Sequence, residues 1–247
     1  MIVDAHAHYG SWLSSAGADT PESFSAILDR FEIGAAVVSS GRAIQYEIIS
    51  GNAEVAGLLD VEPRAFGAIV INPNHREASL AELSRHGQND RFVAAKLHPD
   101  YCGVAADSPA NLAIYRRLLD MDMPLVVHTW GEAGVEAAAS AARAFPRMRV
   151  VMFHMGADAW RAAARRAREY DNVWIETAST FVQPSWIRGA VEIAGARKVL
   201  FGTDMTLLTP AFALGALRAA RLKESDLARV TCENAAEVFG LNLSKLK

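Results

Sequence analysis

Ile2-Val3-Asp4-Ala5-His6-Ala7-His8 reads as a short apolar strand that runs straight into His-x-His. Side chains on a strand alternate faces, so His6 and His8 project to the same side, one pleat apart. Seven more β-branched apolar runs follow at fairly regular intervals, at residues 35–39, 66–71, 92–98, 125–129, 150–154, 173–177 and 199–204. Between them lie segments rich in Ala, Leu, Arg and Glu, with apolar residues at three- and four-residue spacing. Thr20-Pro21 and Ser108-Pro109 place a capping side chain before a proline at the first helical position. Asp158 is a candidate cap for the Ala/Arg helix, and Gly34, Gly87 and Gly195 fall where helices should stop. Eight strands alternating with helices imply parallel pairing through right-handed crossovers. The expected fold is α/β, a single (β/α)8 TIM barrel occupying 1–247 as one domain. An open doubly wound sheet is the rival, but no Gly-x-Gly-x-x-Gly or P-loop follows the first run. Residues 210–220 form the last barrel helix in this reading, and 225–230 and 234–241 close the chain.

The bulk numbers exclude several classes. A chain with 51% hydrophobic and 21% charged residues can bury a substantial core. A net charge of −3 gives no general attraction to nucleic acid or an anionic membrane. Two cysteines, Cys102 and Cys232, fit a reducing compartment rather than a disulfide scaffold. The apolar run reaches Asp4 and His6 at once, unlike a secretory leader, and no stretch approaches the roughly 18 apolar residues of a spanning helix. A soluble, cytoplasmic protein is expected, with no nucleic-acid or membrane partner.

In such a barrel the active site lies at the carboxyl ends of the strands. Five of the seven histidines occupy those ends: His6, His8, His98, His128 and His154. Asp204 ends the eighth run, which neighbours the first when the barrel closes. Neutral imidazole is the commonest ligand for zinc-type metals, so this rim is a candidate metal site. Asp4 shares strand parity with His6 and His8 and is expected to point inward below them as a supporting partner. His75 and His86 are left as structural.

The segments Asp4-Ala5-His6-Ala7-His8, Lys96-Leu97-His98-Pro99, Pro124-Leu125-Val126-Val127-His128-Thr129, Phe153-His154-Met155-Gly156 and Gly202-Thr203-Asp204 resemble the amidohydrolase superfamily. The nearest likeness is its amidohydrolase-2 branch, which includes decarboxylases of the aminocarboxymuconate-semialdehyde type. The likeness extends to Glu233-Asn234-Ala235-Ala236-Glu237-Val238-Phe239-Gly240-Leu241. The resemblance implies that His6, His8, His128 and Asp204 ligate one divalent metal, and that His154, with Asp204, handles protons. Three nitrogens and a carboxylate suit zinc first, and also accept manganese, cobalt or iron. Lys96 stands in three readings: carboxylated and bridging a second metal, free and paired with a substrate carboxylate, or buried against Asp4 or Asp204.

Arg42, Lys96, His98, Tyr101 and Trp130 are expected to contact the substrate, with Tyr9, Trp12 and Met205 lining the pocket. The first functional expectation is hydrolysis of an amide, ester or lactone in a small carboxylated molecule, using metal-activated water. The alternative is a non-oxidative decarboxylase working from the same site. A non-enzymatic binding barrel is the third reading. A homodimer is expected only by analogy with other barrels.

Overall fold

Eight strands pair in parallel in chain order, and each is buried on both faces because a helix covers it outside. The computed structural model describes residues 1–12 and 20–243. The strands are β1 (Ile2–Tyr9), β2 (Ile33–Ser40), β3 (Ala65–Ile71), β4 (Phe92–Leu97), β5 (Leu125–Trp130), β6 (Val150–Gly156), β7 (Val173–Glu176) and β8 (Val199–Leu200). The helices are α1 (Pro21–Arg30), α2 (Gly41–Gln45), α3 (Ile48–Val61), α4 (Arg76–His86), α5 (Pro99–Cys102) and α6 (Leu112–Asp120). They continue as α7 (Gly131–Ala144), α8 (Trp160–Glu169), α9 (Pro184–Ala194), α10 (Pro210–Ala220), α11 (Glu224–Ala228) and α12 (Asn234–Phe239). This is a single (β/α)8 TIM barrel. Among the described residues no helix is long and apolar enough to cross a membrane.

Thr20 caps α1 by accepting from the Ser23 amide, as Thr20-Pro21 suggests. Asp158 does not cap α8, whose N-cap is Ala159. Gly34 lies inside β2 rather than at a helix end, because α1 stops at Arg30 and the left-handed residue in the connection is Glu32, φ 55°. The eighth run also differs from expectation. Only Val199–Leu200 pairs with β7, and the next residues close the barrel by separate contacts with β1. Ala5 N donates to Phe201 O at 2.9 Å, Asp204 N donates to His6 O at 2.8 Å, and His8 N donates to Met205 O. Asp204 sits at φ 59°, a left-handed conformation that a regular ladder cannot hold.

Two irregularities aim the histidines. β1 shifts register against β2 between Asp4 and Ala7. Val3 and Ala5 therefore join the apolar filling of the barrel with Val37, Val126 and Leu200, while His6 and His8 face the mouth above it. On β6, Phe153 points inward and stacks on His6 at 3.8 Å between centroids. His154 would then point outward by alternation, but φ 64° turns it in as well. Val238, Phe239 and Leu241 cover the opposite end of the barrel.

Candidate metal centre

His6, His8 and Asp204 bring one donor atom each into a single buried cluster at the β1/β8 seam. Asp204 Oδ1 lies 3.0 Å from His8 Nε2 and 3.3 Å from His6 Nε2. The outer nitrogen of each ring is also engaged. His6 Nδ1 is 2.9 Å from Glu176 Oε2, and His8 Nδ1 is 3.1 Å from Ser39 Oγ. Ser39 can give or take a proton and so allows either tautomer of His8. Across the mouth, His154 Nδ1 donates to Ala178 O at 2.8 Å. A carbonyl only accepts, so the Nε2 lone pair of neutral His154 faces inward.

His98 and His128 lie with His154 rather than in the β1/β8 cluster. His128 Nδ1 is 3.0 Å from His154 Nε2, and His128 Nε2 is 3.1 Å from Asp100 Oδ2. His98 stacks on His128 with centroids 3.9 Å apart and planes 15° apart, and its buried Nδ1 has no hydrogen-bond partner among the described residues. Of the four ligands the resemblance implies, the structure thus converges three, with His128 on the facing wall. A cavity of about 150 Å³ separates the walls. Trp12, Trp130, Thr180 and Leu207 complete its lining, together with Lys96.

Lys96 is the one lysine or arginine on that lining among the described residues. Its Nζ is 3.4 Å from His6 Nε2 and 4.2 Å above the Phe153 ring. Among the described residues no ion pair joins it to Asp4 or Asp204. Arg42 and Tyr101 do not line the cavity. Arg42 is carried sideways by α2 and pairs with Glu54 at 3.7 Å on the rim. Tyr101 is half exposed, its ring edge-on to His98 and Trp12. Asp4 takes hydrogen bonds from the His6 amide and from the Thr203 amide and hydroxyl, so it fastens β1 to the segment after β8. Among the described residues no hydrogen bond or ion pair joins it to either imidazole ring.

Burial governs the charges. It pushes Asp4 up to about 7 against its hydrogen bonds, and it drives Glu176 well above the ordinary carboxylate range. It pulls Lys96 down to about 7, His154 to about 4 and His98 to about 2, and holds His6 and His128 well below the usual imidazole value. Asp204 goes the other way: burial raises it, but the His8 hydrogen bond and the charges of His154, His8 and Lys96 leave it lowered. The result is a carboxylate facing two imidazole nitrogens, hydrogen-bonded to that of His8. Two imidazoles and a carboxylate, each ring backed by a hydrogen-bonding group, fit a divalent cation.

Glu176 escapes the sequence reading entirely. It ends the run Val173-Trp174-Ile175-Glu176 with no motif around it; the available signal is an acid in step with inward-facing Trp174 at a strand end. Thr180 and Leu207, in loops, carry no such signal.

The chain belongs to the amidohydrolase family, whose model matches residues 3–241. No curated protein sequence matches it significantly. Among solved structures, 2,6-dihydroxybenzoate decarboxylase from Rhizobium is similar with TM-score 0.79 at 18% identity, covering 98% of this chain and 99% of that one. 5-Carboxyvanillate decarboxylase from Sphingomonas paucimobilis has TM-score 0.79 at 15% identity, with 98% and 99% covered. Dihydroxybenzoic acid decarboxylase from Polaromonas sp. JS666, solved with bound manganese and the inhibitor 2-nitroresorcinol, has TM-score 0.79 at 18% identity, with 98% and 97% covered. These likenesses establish the shared fold. They also correct the hydrolase expectation: these three neighbours are decarboxylases, which favours the alternative reading over hydrolysis. The expectation of zinc loses its priority too, since the Polaromonas structure holds manganese.

Proposed function

We propose that this protein is a metal-dependent, non-oxidative decarboxylase of a small carboxylate, with manganese and zinc the ions to test first. The observation that carries the reading is Lys96: one buried amine in a small cavity lined mainly by imidazoles and indoles, with the His6/His8/Asp204 cluster in the same wall. That is an environment for one anionic group on a flat, largely apolar body. The decarboxylase neighbours support it, and their hydroxylated benzoate substrates make aromatic acids the first compounds to assay.

His6, His8 and Asp204 would hold the ion, and His128 faces them from the opposite wall of the same cavity. A divalent cation held there would supply positive charge against a chelating anionic substrate. Lys96 attracts the substrate carboxylate and orients it, and Trp12 and Trp130 flank the body of the molecule. As the bond to the carboxyl carbon breaks, carbon dioxide leaves and its electron pair stays on the substrate carbon. That carbon takes a proton from His154 Nε2. Burial, helped by Lys96, keeps His154 neutral, and the charge of the bound anion would raise its proton affinity.

The test is carbon dioxide release from a panel of hydroxylated benzoates by chelator-treated protein supplied with manganese or zinc. Metal-dependent release with one equivalent of decarboxylated product is expected. Acid plus alcohol or amine products from esters, amides or lactones, with no carbon dioxide from any acid, would overturn the reading.

A further inference from the structure

Glu176 is fully buried at the end of β7 and is absent from the cavity lining, so it does not reach a molecule bound there. Its carboxyl joins two parts of the site. Oε2 meets His6 Nδ1 at 2.9 Å and accepts from the His154 amide at 3.4 Å, and Oε1 accepts from the Ala178 amide. The same Ala178 provides the carbonyl that fixes the His154 ring. One side chain therefore sits behind a β1 imidazole, under the left-handed turn that carries His154, and against the residue that sets the His154 tautomer. The segment after β8 makes room for it. A methyl at Gly202 would come within 2.3 Å of Glu176 Oε1 and 2.9 Å of His6 Cβ, so no larger residue fits there while Glu176 holds its place.

His6, His154 and Glu176 could be read as a second ion site, since their donor atoms also cluster. The hydrogen bonds argue otherwise. Glu176 oxygens already receive two backbone N–H groups, and His154 Nδ1 is committed to a carbonyl.

We propose that Glu176 is a positioning residue: its side-chain carboxyl group holds the His6 ring with Nε2 toward Asp204 and locks that ring to the turn bearing His154. A proton on Nδ1, held by Glu176, leaves the Nε2 lone pair for a cation. The inference rests on the metal centre of the proposed function and not on the reaction assigned to it.

The test is a titration of manganese, followed by the electron paramagnetic resonance of the free ion, on the full-length wild type, Glu176→Gln and Gly202→Ala, with folding checked by circular dichroism and melting. Cobalt-loaded samples report ligand geometry through their visible absorption bands. Glu176→Gln is expected to weaken manganese binding by about 10- to 100-fold and to shift the cobalt bands. Gly202→Ala, which displaces the carboxyl from the opposite side, should do the same and keeps the test open if Glu176→Gln fails to fold. Folded variants that bind manganese within about twofold of wild type, with unchanged cobalt bands, would overturn the positioning role alone. A wild type that takes up neither ion would overturn the metal centre and this inference with it.

Discussion

The two walls of the cavity differ in what stands behind their imidazoles. On the β1/β8 wall the outer nitrogens of His6 and His8 are held by Glu176 and Ser39, and their inner nitrogens converge on one carboxylate oxygen. On the β4–β6 wall His98 and His128 stack face to face, His128 is braced by the exposed carboxyl of Asp100, and His98 Nδ1 is orphaned. The first arrangement orders donors around a point. The second offers flat, nearly neutral surfaces with spare hydrogen-bonding capacity. Similar residues at strand ends thus serve different purposes according to the groups behind them.

The largest expected effect separates the walls directly. Asp204→Ala should lose bound metal and activity together, whereas His154→Gln should keep the metal and lose about 10²- to 10⁴-fold in kcat. Metal analysis alongside steady-state kinetics checks this, and equal metal loss in both variants would erase the distinction between the walls. A smaller effect concerns the pH dependence of the metal-free protein. His98 is held down to about 2 by burial first and then by neighbouring cations, so the folded form stays neutral where the unfolded chain titrates near 6.5. That contribution is complete above pH 6.5 and is lost as the pH falls toward 2. Between pH 6 and 4, His98→Asn should flatten the fall in stability by roughly 1.4 kcal/mol per pH unit, read from denaturant melts. The smallest effect belongs outside both walls: Arg42→Ala should leave KM within about twofold, because Arg42 pairs with Glu54 on the rim. A tenfold rise in KM would extend the site to that rim.

The fold was legible because every strand but the last is a continuous apolar run covered by a helix with its own stop signals. β8 was not, since its closing hydrogen bonds depend on a left-handed Asp204 that no periodicity announces. The histidines at strand ends stood out because imidazole is rare in such runs. How they point was hidden: a register shift in β1 and a positive φ at His154 override strand alternation. Asp4 misled for the same reason, its parity broken by that shift. Arg42 misled because α2 starts at Gly41 and carries the side chain past the mouth.

The seam between the first and last strands has a consequence for how the molecule is made. His8 and Asp204 meet across 196 positions of sequence, and the ladder of β8 is only two residues long. A chain still emerging from the ribosome exposes its two histidines well before the carboxylate that meets them. A cation held by both ends would act as a buckle on the completed barrel, adding stability in proportion to the logarithm of its free concentration over Kd. Metal supply would then govern how long each finished molecule survives, apart from how fast it works.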